Sequence, residues 1–197
     1  MSPVPGFRKW LDGRVAAKDQ SLFGRHERAK LCQEAEAKDP CDALAQLMLR
    51  GFVAEAQPPE SVRATLMHLC ARYLAAEKEG PPELARPLDP VARFHLGNGA
   101  RLERINWLGD ISEKGLREAH GLMVNYRYDL KEIERNHEAY ANDGEVTASR
   151  AVRQMAKPPT NGKPKLPATK ALLQLPSRSR APDKAPAASE KDGKKGT

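Results

Sequence analysis

The chain is expected to fold as an α+β domain, helices first and strands after them, with a basic tail behind. Three observations lead there. The apolar residues Val62, Leu66, Leu69, Cys70, Tyr73 and Leu74 recur at the period of an amphipathic helix. Asn98-Gly99 lies between two strand-like runs, and Asn-Gly is the strongest short-range hairpin signal, because both central residues of a type I′ turn need positive φ. Gly121 to Tyr128 reads as a third strand. Helices packed on such strands make an α+β architecture.

Taken in order, Lys9 to Ala17 is expected to form a short helix. Leu22 to Ala37 follows, with Leu31 and Ala35 on one face, and then Cys41 to Phe52, with Leu44, Leu47 and Met48 at helical spacing. The clearest helix runs from Pro59, well suited to a first turn, to Glu79, where Gly80-Pro81-Pro82 ends it. Pro82 to Pro90 reads as a loop. Pro90 to Trp107 then forms the hairpin, in a register that places His95 opposite Leu102, Phe94 opposite Glu103 and Arg93 opposite Arg104. The last pairing needs an anion between the two cations. Two helices close the domain, Leu130 to Tyr140 and Glu145 to Met155, divided by Asn142-Asp143-Gly144.

Charge divides the chain near residue 157. Residues 157–197 hold ten Lys/Arg against three Asp/Glu, which accounts for the whole net charge of +7 and for the pI near 9.4. Residues 1–156 are formally neutral, with 23 charges of each sign, so the pI says nothing about a basic face on the globular part, and no nucleic-acid partner is expected. The tail has seven of the sixteen prolines and no aromatic residue, a composition expected to leave it disordered. Only Leu172-Leu173-Gln174-Leu175 could dock. No stretch reaches the ~20 apolar residues needed to span a membrane, and Met1-Ser2-Pro3-Val4-Pro5 does not resemble a signal peptide. A cytoplasmic protein is expected, with Cys32, Cys41 and Cys70 as reduced thiols in apolar surroundings rather than metal ligands.

No phosphate-binding glycine loop, zinc spacing or nucleophile elbow is present. Among the five histidines, a lone strand histidine such as His95 would ordinarily be structural, and a terminal serine such as Ser2 inert. Two blocks of sequence point elsewhere. Ser2-Pro3-Val4-Pro5-Gly6-Phe7, with Trp10-Leu11 behind it, resembles the S-P-[IV]-P-G-F-x-x-W-L segment of malonyl-CoA decarboxylases. Asp89-Pro90-Val91-Ala92-Arg93-Phe94-His95-Leu96-Gly97-Asn98-Gly99-Ala100 resembles the family's N-P-V-A-x-F-H-L-x-N-G-A. The likeness continues through Arg104-Ile105-Asn106-Trp107, Asp110 and Ser112 to Gly121-Leu122-Met123-Val124-Asn125-Tyr126-Arg127-Tyr128. Leu66 to Leu74 follows the family too, so the resemblance covers residues 2 to about 155.

The resemblance implies that Ser2 and His95 are a catalytic pair, and that the domain is the C-terminal half of a fold like that of the GCN5-related acyltransferases. In the family a helical domain, the first half of that fold and the loop that cradles the coenzyme A phosphates precede the serine. A partner is therefore expected, either the N-terminal half or a second copy of the chain. The implied substrate is malonyl-CoA, turned into acetyl-CoA and carbon dioxide. Its thioester carbonyl can take up the electrons left by carbon dioxide, so neither cofactor nor metal is called for. Asn125, Tyr128 and Arg104 are further substrate-binding candidates; the alternatives are a half-buried strand tyrosine for Tyr128 and an ion pair with Asp110 for Arg104. Three other readings stay open: an acyl-CoA transferase, a catalytically silent module of a split gene, and a hydrolase using Ser2 as an N-terminal nucleophile.

Overall fold

The computed structural model describes residues 1–52, 58–81 and 85–157. The expected disordered tail, with Leu172 to Leu175, lies outside these residues.

The chain enters as a two-residue strand, β1 (Ser2–Pro3), and turns at Gly6 into α1 (Phe7–Ala16). A 3₁₀ turn at Gln20–Leu22 leads to α2 (Arg25–Ala35), where the Glu27 carboxylate accepts from the Gly24 amide, and to α3 (Pro40–Phe52). The expected helix from Leu22 is thus broken by that turn. α4 (Glu60–Ala75) is buried on nearly every side, with Val62, Leu66, Leu69, Cys70, Tyr73 and Leu74 in the core. A helix apolar all round belongs in the middle of a domain. α1, α2 and α3 pack around it. Phe7 and Trp10 of α1 meet Tyr73 of α4 at ring separations of 5.8 and 5.3 Å.

The helix expected to run to Glu79 stops at Ala75, and Lys78–Glu79 (β2) pairs antiparallel with Arg86–Pro87 (β3), in the region read as a loop. The larger correction concerns Asn98-Gly99. Pro90–Gly97 is a helix, α5, and His95 rides on it rather than on a hairpin strand. The Asp89 side chain accepts from the Ala92 amide at 2.8 Å and Pro90 occupies the first turn, a strong helix start. Gly99, at φ +76°, ends the helix: its amide donates to the Leu96 carbonyl and the Ala100 amide to the His95 carbonyl. This is the Schellman arrangement, which asks for the same left-handed glycine as a hairpin turn. The cross-strand pairings of His95, Phe94 and Arg93 therefore do not exist, and Arg93 instead pairs with Glu79.

After Ala100 the chain forms β4 (Arg101–Asn106), then α6 (Glu113–Ala119), a helix that the sequence reading passed over, capped by the Ser112 hydroxyl on the Gly115 amide at 3.1 Å. β5 (Met123–Arg127) lies between its neighbours in a sheet of order β1-β5-β4, antiparallel throughout. The expected third strand is therefore central, with β1 and β4 on either side. α7 (Ile133–Asp143) and α8 (Arg150–Ala156) finish the domain, α8 packing on α4 and β4. Among the described residues no helix is long and apolar enough to cross a membrane.

Candidate active site

Side chains alternate between the faces of a strand, and residues directly opposite share a face. Ser2 stands opposite Val124, so Ser2, Val124, Tyr126 and Tyr128 share one face of the sheet. α5 delivers His95 to that face. Ser2 Oγ lies 3.1 Å from His95 Nε2, and the Tyr128 hydroxyl 2.8 Å from His95 Nδ1. The Tyr126 ring stacks on the imidazole, with centroids 4.1 Å apart and planes 18° from parallel. Ser2 and His95 are 93 residues apart in sequence, and the fold brings them within hydrogen-bonding distance. Ladder pairing with β5 seats Ser2 in the sheet.

The imidazole is hydrogen-bonded at both nitrogens by hydroxyls, and a hydroxyl both donates and accepts. Either neutral tautomer is satisfied. Burial, and then the Met1 ammonium, hold the His95 pKa below its ordinary value, which favours the uncharged ring. Among the described residues the partner at Nδ1 is the Tyr128 hydroxyl, not the carboxylate with which a serine-hydrolase triad stabilises an imidazolium. The chain Ser2–His95–Tyr128 is suited to passing a proton through a neutral ring. Burial pushes the Tyr126 hydroxyl far above the usual phenol range, so this tyrosine offers a flat neutral surface. The sequence reading missed Tyr126 as a site residue; its two-residue spacing from Tyr128 on a strand is the signal that places both on one face.

Two candidates fall elsewhere. Arg104 stands opposite Asn125 on the other face of the sheet. Arg104 Nε donates to Asn106 Oδ1 at 2.7 Å, and Asn106 Nδ2 to Asn125 Oδ1 at 3.1 Å. Neither joins the Ser2–His95 face, and Arg104 does not pair with Asp110, whose carboxylate accepts from the Ser112 amide. Beside the pair, Met1, Phe94 and Tyr128 expose apolar surface, so the site opens outward. The described clefts, of about 480 and 180 Å3, lie by α1, α3 and α6 and behind Pro3 and Val4, and neither is lined by His95.

Residues 1–166 match the malonyl-CoA decarboxylase C-terminal domain. The chain belongs to the malonyl-CoA decarboxylase family. It is 39% identical over 161 residues to the mitochondrial malonyl-CoA decarboxylase of Rattus norvegicus, covering 77% of this chain and 31% of that protein. It is 37% identical over 158 residues to that of Anser anser anser, covering 77% and 30%. Among solved structures, the malonyl-CoA decarboxylase of Cupriavidus metallidurans superposes with a TM-score of 0.62 at 37% identity, over 78% of this chain and 37% of that one. That of Agrobacterium vitis gives 0.58 at 43% identity, over 80% and 35%. The chain thus spans about a third of the length of these family members.

Proposed function

We propose that this chain supplies the reacting pair of a malonyl-CoA decarboxylase, Ser2 and His95, acting on malonyl-CoA to give acetyl-CoA and carbon dioxide. The observation that carries the reading is the 3.1 Å contact between Ser2 Oγ and His95 Nε2, with Tyr128 completing the relay at Nδ1. Loss of carbon dioxide leaves an enolate whose negative charge gathers on the thioester oxygen. A hydroxyl and an imidazole N–H aimed at that oxygen would stabilise the transition state more than the ground state. The same relay would then deliver a proton to the α-carbon from the Ser2 hydroxyl, resupplied through the imidazole from Tyr128, which is exposed and regains its proton from solvent. The reaction as proposed calls on no metal or further cofactor.

Two finer points belong to the proposal. The fold is read as the C-terminal half of a GCN5-related acyltransferase-like domain; the antiparallel order β1-β5-β4, with Ser2 on an outer strand, supports it. Activity is assigned to an assembly with the N-terminal half or with a second copy, acting in the cytoplasm, and the greater length of the relatives supports the former.

The test is carbon dioxide release from malonyl-CoA by the chain alone and after co-expression with the N-terminal half of a relative. The chain alone should release none and the assembly should release it readily. In the assembly, His95→Ala and Ser2→Ala should each lower turnover by about a hundredfold or more, as for loss of a general acid, with circular dichroism unchanged. Near-normal turnover in folded His95→Ala overturns the reading.

A further inference from the structure

His95 lies in the last turn of α5, and α5 joins the sheet through the turn from Gly97 to Ala100. A turn with two glycines can act as a hinge, and rocking about it would carry His95 away from Ser2. We propose that Asn136 of α7 is the positioning residue that holds this hinge, and with it the separation of His95 from Ser2. This rests on the reading of Ser2 and His95 as the reacting pair.

Asn136 is buried, and its Nδ2 donates to the Gly99 carbonyl at 3.2 Å. The next residue, His137, donates from Nδ1 to the Gly97 carbonyl at 2.6 Å; a carbonyl only accepts, so this nitrogen carries the proton. His137 is exposed, so water competes for its bond, and the buried Asn136 is the firmer hold. The hinge lies directly on α7, because a Cβ on Gly99 would collide with the Ile133 carbonyl. The amides of Gly99 and Ala100 donate back to the carbonyls of Leu96 and His95 at 2.9 and 3.1 Å, which makes the hinge and the last turn of α5 one bonded unit. α7 is in turn continuous with the strand that seats Ser2. β5 pairs Val124 with Ser2 and leads on to Tyr128, whose hydroxyl meets His95 Nδ1 at 2.8 Å. The chain then enters α7 through a tight turn, in which the Asp129 carbonyl accepts from the Glu132 and Ile133 amides at 2.8 and 2.9 Å. Ser2 thus hangs on the strand of this frame and α5 on its helix. Tyr128 holds the imidazole, and Asn136 holds the backbone that carries it. Gly99 is buried, and a buried carbonyl left without a donor is costly. Loss of the Asn136 amide therefore drives the hinge, and His95 with it, out of place.

The experiment uses the full chain and reads geometry rather than turnover, so its outcome is separate from that of the decarboxylation assay. Three variants are compared with the wild type by NMR: Asn136→Ala, the isosteric Asn136→Asp, which puts an acceptor where the donor stood, and, as a control, Val62→Ala. Val62 is fully buried in α4, so the control loses packing outside α5 and α7. The first readout is hydrogen exchange of the Gly99 and Ala100 amides relative to the amides of α4. The second is the ring ¹H resonances of His95, which the Tyr126 ring, stacked at 4.1 Å, displaces from those of free histidine. In both Asn136 variants the hinge amides should exchange about ten times faster or more relative to α4, and the His95 resonances should move toward the free values. Val62→Ala should speed exchange throughout, with that ratio and the His95 resonances unchanged. If Asn136→Asp does not fold, Asn136→Ala decides. A wild-type exchange ratio in folded Asn136→Ala, unmoved His95 resonances whatever the hinge does, or equal changes in Val62→Ala overturn the proposal.

Discussion

Replacing His120 by asparagine should remove much of this domain's sensitivity to acid. His120 follows α6 in the left-handed conformation, φ 51°, and is 5% exposed, with the Phe52 ring 5.4 Å away. Burial, and secondarily the Arg8 charge, depress its pKa from 6.5 to about 4, while Asp12 pulls weakly the other way. The unfolded chain therefore takes up a proton at a pH where the folded one does not, and the native state loses stability as pH falls. The loss begins near the unfolded pKa and is complete below about 4. Linkage gives about 2 kcal/mol at pH 5 relative to pH 8, and about 3 kcal/mol in full. Asparagine tolerates the left-handed conformation and does not titrate. It also loses the contact with Phe52, so the variant should be less stable at pH 8. The decisive quantity is the change in the difference between the two proteins. Urea unfolding at pH 8 and pH 5 should show the wild-type midpoint moving by about 1 M more than that of His120→Asn, for a slope of about 2 kcal/mol/M. Parallel pH dependence in the two proteins would refute the argument, because another group would then carry the acid sensitivity.

Other consequences follow from single sites. Gly99→Ala should destabilise the chain by about 1–3 kcal/mol in the same assay, since φ is +76° and a Cβ would strike the Ile133 carbonyl. Thiol labelling at pH 8, read by mass spectrometry, should modify Cys32 first and reach Cys41 and Cys70 only on unfolding. Cys32 is partly exposed and the other two are buried, and burial raises all three pKa values, that of Cys70 most. In the active assembly, the acid limb of the kcat/KM profile should lie below the ordinary imidazole value of about 6.5, because a neutral His95 is required and burial lowers its pKa. A rate that rises toward acid would show that the imidazolium is the working form. Tyr128→Phe should displace that limb and lower kcat more than it raises KM, since it removes only the Nδ1 partner.

The helices from Phe7 to Ala75 were legible in the order of the residues because their information is local. Apolar spacing, Pro59 and the charges of the first turns act over one or two turns of chain. Ser2, His95 and Tyr128 could likewise be named from motifs. Asn98-Gly99 was misread because left-handed glycine serves a hairpin turn and a helix end equally, and the Asp89-Pro90 start nine residues earlier was the overlooked signal. The division of the site between the two faces of the sheet was not legible at all. Which of Arg104, Asn125, Tyr126 and Tyr128 meets His95 depends on strand register, and a shift of one residue exchanges the faces. That register is set by contacts among β1, β4 and β5 from opposite ends of the domain. Local chemistry chose the helices and the candidate groups, and long-range packing chose which of those groups could touch.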